Sequence, residues 1–166
     1  MNPWKCKKWQ EFYCDKLFIR SSLQMHYCKE IDGKLKLFFN DFSKWLRKNY
    51  IFPIRVNVYL KSTCYIRAVD GENVSATFWG PFDRTAEPYI KIAAGDYNKL
   101  KARYDEFNAL CSSIASLAHE LTHYFQWIND WDLTPEQEER QAKYYAEKIV
   151  YAYLDECGYD YLDSLS

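Results

Sequence analysis

Residues 111–128 read CSSIASLAHELTHYFQWI, and the pentapeptide HELTH within them occupies positions 119–123. Residues four apart lie on one face of a helix, about 6 Å from each other, so His119 and His123 can hold one metal ion between their imidazoles. Burying both without a shared ligand would leave polar atoms desolvated. The helical pattern is carried by apolar residues at spacings of three and four: Ile114, Leu117, Ala118, Leu121 and Phe125.

Glu120 directly follows the first of these histidines. Zinc lowers the pKa of a bound water to about 7, and a neighbouring carboxylate can then accept a proton from that water at neutral pH. This is why H-E-x-x-H on a helix indicates a hydrolytic zinc site. We therefore predict zinc (Zn2+) as the cofactor, His119 and His123 as metal ligands and Glu120 as the catalytic residue.

A catalytic zinc also needs a third protein ligand. No histidine follows His123, so this ligand is expected among the carboxylates further along the chain. Two glutamates of the last predicted helix fit best, because each shares a helical face with apolar residues. Glu139 aligns with Ala142, Ala146, Ile149 and Tyr153, and Glu138 aligns with Ala142, Tyr145 and Ile149. Periodicity leaves the choice between Glu138 and Glu139 open.

The pattern outward from HELTH predicts an α+β fold. Residues 7–30 and 34–49 are expected to be helical, the second stretch on clearer spacing. The HELTH helix should begin at an Asp105 N-cap, and a capping box at Thr134 should begin a last helix that ends at Gly158. Between them we expect a small sheet of three or four strands, with a hairpin at Asp70-Gly71. The expected strands are 54–60, 64–69, 74–79 and 89–94.

Composition predicts one domain over residues 1–166, in a cytoplasmic chain with no membrane partner. No apolar run approaches the roughly 18 residues that cross a bilayer, and MNPWKCKKWQ has no apolar segment after its lysines. The six cysteines are scattered without a CxxC pair, which suits small buried side chains in a reducing compartment. A second metal site at Cys6, Cys14, His26 and Cys28 would have suitable ligand types without the spacing of a zinc ribbon or finger.

Charge is distributed unevenly along the chain. Residues 1–67 carry 14 Lys and Arg against 5 Asp and Glu, whereas residues 129–166 carry 3 against 10. The basic part contains many aromatic residues, a combination that can bind nucleic acid. On charge patterning alone, a solvated lysine surface over an aromatic core is the preferred interpretation. The aromatic residues concerned are Trp4, Trp9, Phe12, Tyr13, Trp45 and Tyr50.

Residues 116–150 resemble the zincin metallopeptidases whose third ligand is a glutamate, especially the small ImmA/IrrE-like peptidases. Those carry HExxH, a short connection and a helix of the pattern E-x-x-A-(D/N)-x-x-A. Glu139, Ala142 and Ala146 match that pattern, whereas Lys143 replaces the Asp or Asn that supports the metal site in relatives. The resemblance implies Glu139 as the third metal ligand.

The resemblance covers about residues 34–155 and leaves residues 1–33 as a possible N-terminal extension. It implies a compact zincin-like domain and a zinc-dependent metallopeptidase whose protein or peptide substrate is intracellular, such as a regulator. In zincins an edge strand pairs with the extended substrate, and Tyr89–Ala93 is the matching segment. An ordinary edge strand, blunted by Lys91, is the equal alternative.

Hydrolysis also needs a donor to the oxyanion. Tyr124, Tyr144 and Tyr145 are close in sequence to the ligands, although packing is the favoured role for each. Two other functions stay open. A SprT-like peptidase shares much of this architecture and would act on DNA-associated proteins through residues 1–67. A non-catalytic zincin scaffold would instead bind a partner, with its zinc closed by a fourth ligand such as an N-terminal cysteine.

Overall fold

The structure is a computed structural model that describes residues 1–11 and 23–157. Its helices and mixed sheet confirm the predicted α+β class. None of the described helices is long and apolar enough to cross a membrane. In chain order the elements are a 3-10 turn at Lys8–Glu11, β1 (Leu23–Tyr27), α1 (Gly33–Asn49), β2 (Val56–Lys61), β3 (Ile66–Arg67), β4 (Asn73–Val74), β5 (Ala76–Trp79), β6 (Tyr89–Ala93), α2 (Tyr97–Arg103), α3 (Glu106–Ile128) and α4 (Pro135–Cys157).

Four strands form one sheet in the order β1-β2-β6-β5. β1, β2 and β6 are parallel, and β5 runs antiparallel to β6. β3 and β4 form the predicted hairpin as a separate ribbon, and Gly71 at its turn has a φ of 87°, which glycine adopts without steric cost. The predicted strand 74–79 is therefore divided. Val74 pairs with β3, and the residues after Ser75 pair with β6.

Tyr89–Ala93 is a strand, as predicted, but it is not an edge strand. It lies between β2 and β5, and it pairs with both. Its backbone groups are therefore already used on each side, so the expected pairing of a substrate with Tyr89–Ala93 is wrong. β5 is the outermost strand on this side of the described sheet.

The helix predicted over residues 7–30 is also wrong wherever the structure describes it. Lys8–Glu11 makes a single 3-10 turn, and Leu23–Tyr27 is the strand β1. Leu23 is buried while Gln24 and His26 are exposed, which is the alternation of a strand with one buried face. Residues 12–22 lie outside the described part of the chain.

The first residues pack into the same core as the rest of the described chain. The Trp4 indole N–H donates to Thr122 Oγ1 at 3.0 Å, and the Trp9 backbone N–H donates to Asn129 Oδ1 at 3.0 Å. Trp4, Trp9 and Trp45 are all buried, which agrees with the aromatic-core interpretation for these three. Trp4, Trp9 and Leu23 thus belong to the main core.

The core lies between one face of the sheet and the helices α1 and α3. Alternate residues of β2 and β6 point into it, as expected for strands with one buried face. Tyr124 of α3 is fully buried there, and its hydroxyl donates to the Ile54 carbonyl at 2.6 Å. The strand residues concerned are Val56, Val58, Leu60, Ile90 and Ile92.

Candidate metal centre

The helix α3 presents the two histidines side by side. It begins at the predicted N-cap, where the Asp105 side chain accepts from the Asn108 backbone N–H at 2.7 Å. Its apolar stripe, with Leu117 and Leu121, is buried. His119 and His123 remain partly exposed, and their ring centroids are 5.0 Å apart.

The helix α4 brings Glu139 to these histidines. The predicted capping box is present, because the Thr134 backbone N–H donates to Gln137 Oε1 at 2.9 Å and the Gln137 N–H donates to Thr134 Oγ1 at 3.2 Å. The Glu139 carboxylate lies 3.2 Å from His119 Nε2 and 3.0 Å from His123 Nε2. Of the two glutamates that periodicity left open, Glu139 is therefore the one that meets both imidazoles.

The geometry of His119, His123 and Glu139 fits a zinc ion. One ligand atom from each residue lies within 4.8 Å of the others. Tetrahedral zinc with bonds of about 2.0–2.1 Å separates neighbouring ligand atoms by about 3.4 Å, a spacing similar to the 3.2 Å between His119 Nε2 and Glu139 Oε2 and the 3.0 Å between His123 Nε2 and Glu139 Oε1. Two imidazole nitrogens with one carboxylate oxygen is also a donor set found at catalytic zinc.

The second set of potential ligands does not converge in the described residues. The Cys28 thiol donates to the Leu60 carbonyl at 3.2 Å, and His26 Nε2 lies 3.0 Å from Asn57 Oδ1. Cys14 lies outside the described residues. No described cysteine joins the His119, His123 and Glu139 group.

Gln126 fixes the orientation of His123, a role that the sequence analysis missed. Its Oε1 lies 2.8 Å from His123 Nδ1, and its Nε2 donates to the Glu138 carbonyl at 3.1 Å and to Gln141 Oε1 at 2.8 Å. An amide oxygen only accepts, so Nδ1 of His123 is the donor in this pair, and Nε2 is the ring nitrogen that faces Glu139. The only signal in the sequence was a glutamine three residues after the second histidine.

Glu120 is buried beside the ligands, with 8% of its surface exposed. Burial raises the pKa of Glu120 to about 7, against the lowering effects of His123 and of a hydrogen bond from the Phe78 backbone. A carboxyl group with this pKa can both accept and release a proton near neutral pH. Burial, followed by the neighbouring His123, lowers the pKa of His119 and so favours the neutral imidazole that binds metal.

A cleft extends to both sides of Glu120 and Glu139. One side is a cavity of about 520 Å³ bordered by the indole rings of Trp127 and Trp131. The other is a cavity of about 570 Å³ bordered mainly by small side chains of α3, with Lys143 at its rim. Lys143 therefore borders the His119 side of the cleft.

Gly80 allows Trp127 to lie in the wall of the cleft. A Cβ atom at position 80 would be only 2.6 Å from Trp127 Cδ1. The Trp127 indole N–H donates to the Pro81 carbonyl at 3.0 Å, which holds the ring in place. The absence of a side chain at position 80 thus leaves room for the Trp127 ring in the wall of the cavity of about 520 Å³.

Ala76 of β5 lines both cavities, and Thr77 and Phe78 line the cavity on the Trp127 side. The Ser75 carbonyl accepts from the Ala93 N–H at 2.8 Å. Because backbone groups alternate in direction along a strand, those of Ala76 and Phe78 point away from β6. The hydrogen bond between the Phe78 backbone and Glu120 agrees with this direction. Main-chain hydrogen-bonding groups therefore face the cleft beside the metal ligands.

The three predicted tyrosines do not reach this cleft. The Tyr124 hydroxyl is bonded to the backbone of Ile54, from which it also accepts at 3.2 Å. Tyr144 and Tyr145 line neither cavity, and Lys148 Nζ lies over the Tyr144 ring.

Comparisons of this chain with protein-family models, with curated proteins and with solved structures find no match.

Proposed function

We propose that this protein is a zinc-dependent metallopeptidase of the zincin type, most similar in its motif to the ImmA/IrrE-like peptidases. One observation carries the proposal. His119, His123 and Glu139 converge from two helices, with the buried carboxyl of Glu120 beside them in an open cleft. Binding alone would not require a carboxyl group of neutral pKa next to the ligands.

The residues would divide the chemistry between them. His119, His123 and Glu139 would hold zinc through two Nε2 atoms and a carboxylate oxygen. When bound, zinc supplies polarisation of the scissile carbonyl and a lowered pKa for a water molecule. Glu120 would take a proton from the water and return it to the leaving amine. Gln126 would keep His123 in the tautomer that the site needs.

The substrate would be a protein or peptide that lies extended along β5. The backbone groups of Ala76 and the carbonyl of Phe78 point into the cleft, so main-chain pairing can supply affinity, while the Phe78 N–H is used by Glu120. The cavities on the two sides can then accept substrate side chains in succession. The substrate would be an intracellular regulator, and the setting would be cytoplasmic. Both of these statements rest on the resemblance of the motif.

The test is cleavage of an unfolded protein, such as reduced casein, by zinc-loaded wild type and by Glu120→Gln. We expect the substitution to lower the rate at least about 100-fold while the zinc content stays unchanged. Glu136→Gln, at an exposed position in the first turn of α4, is the control and should cleave normally. If the zinc-loaded wild type cleaves neither casein nor a diverse peptide library, the non-catalytic scaffold becomes the better account.

A further inference from the structure

The sheet has an outer face, opposite the core, that carries polar and aromatic side chains. Along β2 the buried residues alternate with partly exposed ones, and β1 and β6 show a similar alternation. The side chains of the outer face come from all four strands: Gln24 and His26, Asn57, Tyr59 and Lys61, Tyr89 and Lys91, and Thr77 and Trp79.

Two stacked ring pairs stand on this outer face. His26 stacks on Tyr59 with centroids 4.7 Å apart and planes 17° apart. Trp79 stacks on Tyr89 with centroids 5.2 Å apart and planes 25° apart. In each pair the residues are direct partners on neighbouring strands. His26 and Trp79, at the two edges of the sheet, are exposed, so part of the surface of these two rings is open to solvent.

The outer face is also cationic. Lys61 Nζ lies 5.3 Å from the Tyr59 ring centroid, and Lys91 Nζ lies 5.0 Å from the Tyr89 centroid. Neither ammonium group has a carboxylate partner among residues 1–11 and 23–157. Glu87, whose Oε2 accepts from Asn57 Nδ2 of the outer face at 3.4 Å, has the Arg55 guanidinium 3.7 Å away as its partner.

We propose that the outer face binds single-stranded nucleic acid, with bases stacked on the two ring pairs and phosphates next to Lys61 and Lys91. Exposed rings interleaved with unpaired cations are the features of such surfaces. A duplex would hide the base faces that the rings need, and an acidic peptide would use the lysines but not the rings. The tryptophans at positions 4, 9 and 45 play no part, because they are buried.

Fluorescence anisotropy with labelled oligo(dT) and oligo(rU) of about 15 nucleotides tests the proposal. Both oligonucleotides should bind wild type, and a duplex of the same length should bind more weakly. Tyr59→Ala and Trp79→Ala should each weaken binding about tenfold, whereas Tyr59→Phe, which keeps the ring, should bind normally. A preference for either oligonucleotide would support the proposal.

The lysines are tested by the dependence of binding on salt. Lys61→Gln combined with Lys91→Gln should reduce the slope of log K against log salt by about 1.4, because two phosphate contacts are removed. Tyr144 and Lys148 form a matched control on α4, where Lys148 Nζ lies 4.8 Å from the centroid of the Tyr144 ring. Tyr144→Ala and Lys148→Gln should leave binding unchanged.

Several results would overturn this proposal. They are an absence of binding at physiological salt, equal binding of the duplex, an equal effect of the α4 control variants, or displacement of the probe by polyglutamate as readily as by nucleic acid. Urea unfolding of each variant excludes loss of the fold, and the lysine variants keep the test valid if Trp79→Ala does not fold. Glu120→Gln should bind the probe normally, so failure of the peptidase proposal would not affect this one.

Discussion

At the scale of single residues, the proposed metal centre should depend on the support of His123 as well as on the proposed ligands. Gln126→Ala removes the Oε1 that lies 2.8 Å from His123 Nδ1. We expect zinc affinity to fall about 10–100-fold, measured by competition with a fluorescent chelator. Gln137→Ala, which affects only the cap of α4, should keep the affinity of wild type. Equal affinities for Gln126→Ala and wild type would contradict this role.

The close approach of Gly80 to Trp127 gives a second prediction at this scale. Gly80→Ala would push against a ring that is held by its hydrogen bond to Pro81. We expect a loss of about 1–3 kcal/mol in the free energy of unfolding, measured in urea. At Gly33 a Cβ would meet nothing within 4 Å, so Gly33→Ala should not destabilise the protein. Equal stability of both variants would show that Trp127 moves freely.

Residue patterns in the sequence predicted that His119 and His123 lie side by side because the pattern is local. His119, Glu120 and His123 lie within five residues on a strongly periodic helix, and the helical spacing alone places them together. The choice of Glu139 over Glu138 needed the resemblance, because both fit the apolar face of α4. Gln126 was missed because a polar residue near a helix end has many roles that the sequence does not distinguish.

At the scale of elements, the capping box of α4 stabilises the helix that carries Glu139. Thr134→Ala removes the acceptor for the Gln137 N–H. We expect a loss of about 0.5–2 kcal/mol in the free energy of unfolding, measured in urea. Thr134→Ser keeps the hydroxyl and should retain most of the stability. An unchanged stability of Thr134→Ala would mean that the cap contributes little.

The strands were harder to predict than the helices because their partners are distant in sequence. The pattern of β6 correctly predicted a strand, but only pairing with both β2 and β5 makes it internal. β1 has five residues, too few to separate a strand from a helix by periodicity. Its identity depends on its pairing with β2. The short helix α2 was not predicted, because Tyr97 is its only buried residue and it has no apolar stripe.

At the scale of the whole molecule, zinc should stabilise a fold that exists without it. Both ligand helices are held by the main core, through residues such as Leu117 and Ile149. Chelation should therefore leave far-UV circular dichroism unchanged and lower the thermal midpoint. Zinc at about 100 times its Kd would contribute about 2.7 kcal/mol. Unfolding on chelation would indicate a structural metal instead.

The central claim is that His119, His123 and Glu139 bind one zinc ion. The most direct measurement is the zinc content per chain, by mass spectrometry, of wild type, Glu139→Ala and Glu138→Ala purified without added metal. We expect about one zinc in wild type and in Glu138→Ala, and a marked loss in Glu139→Ala. Wild type without zinc, or a loss confined to Glu138→Ala, would contradict the account.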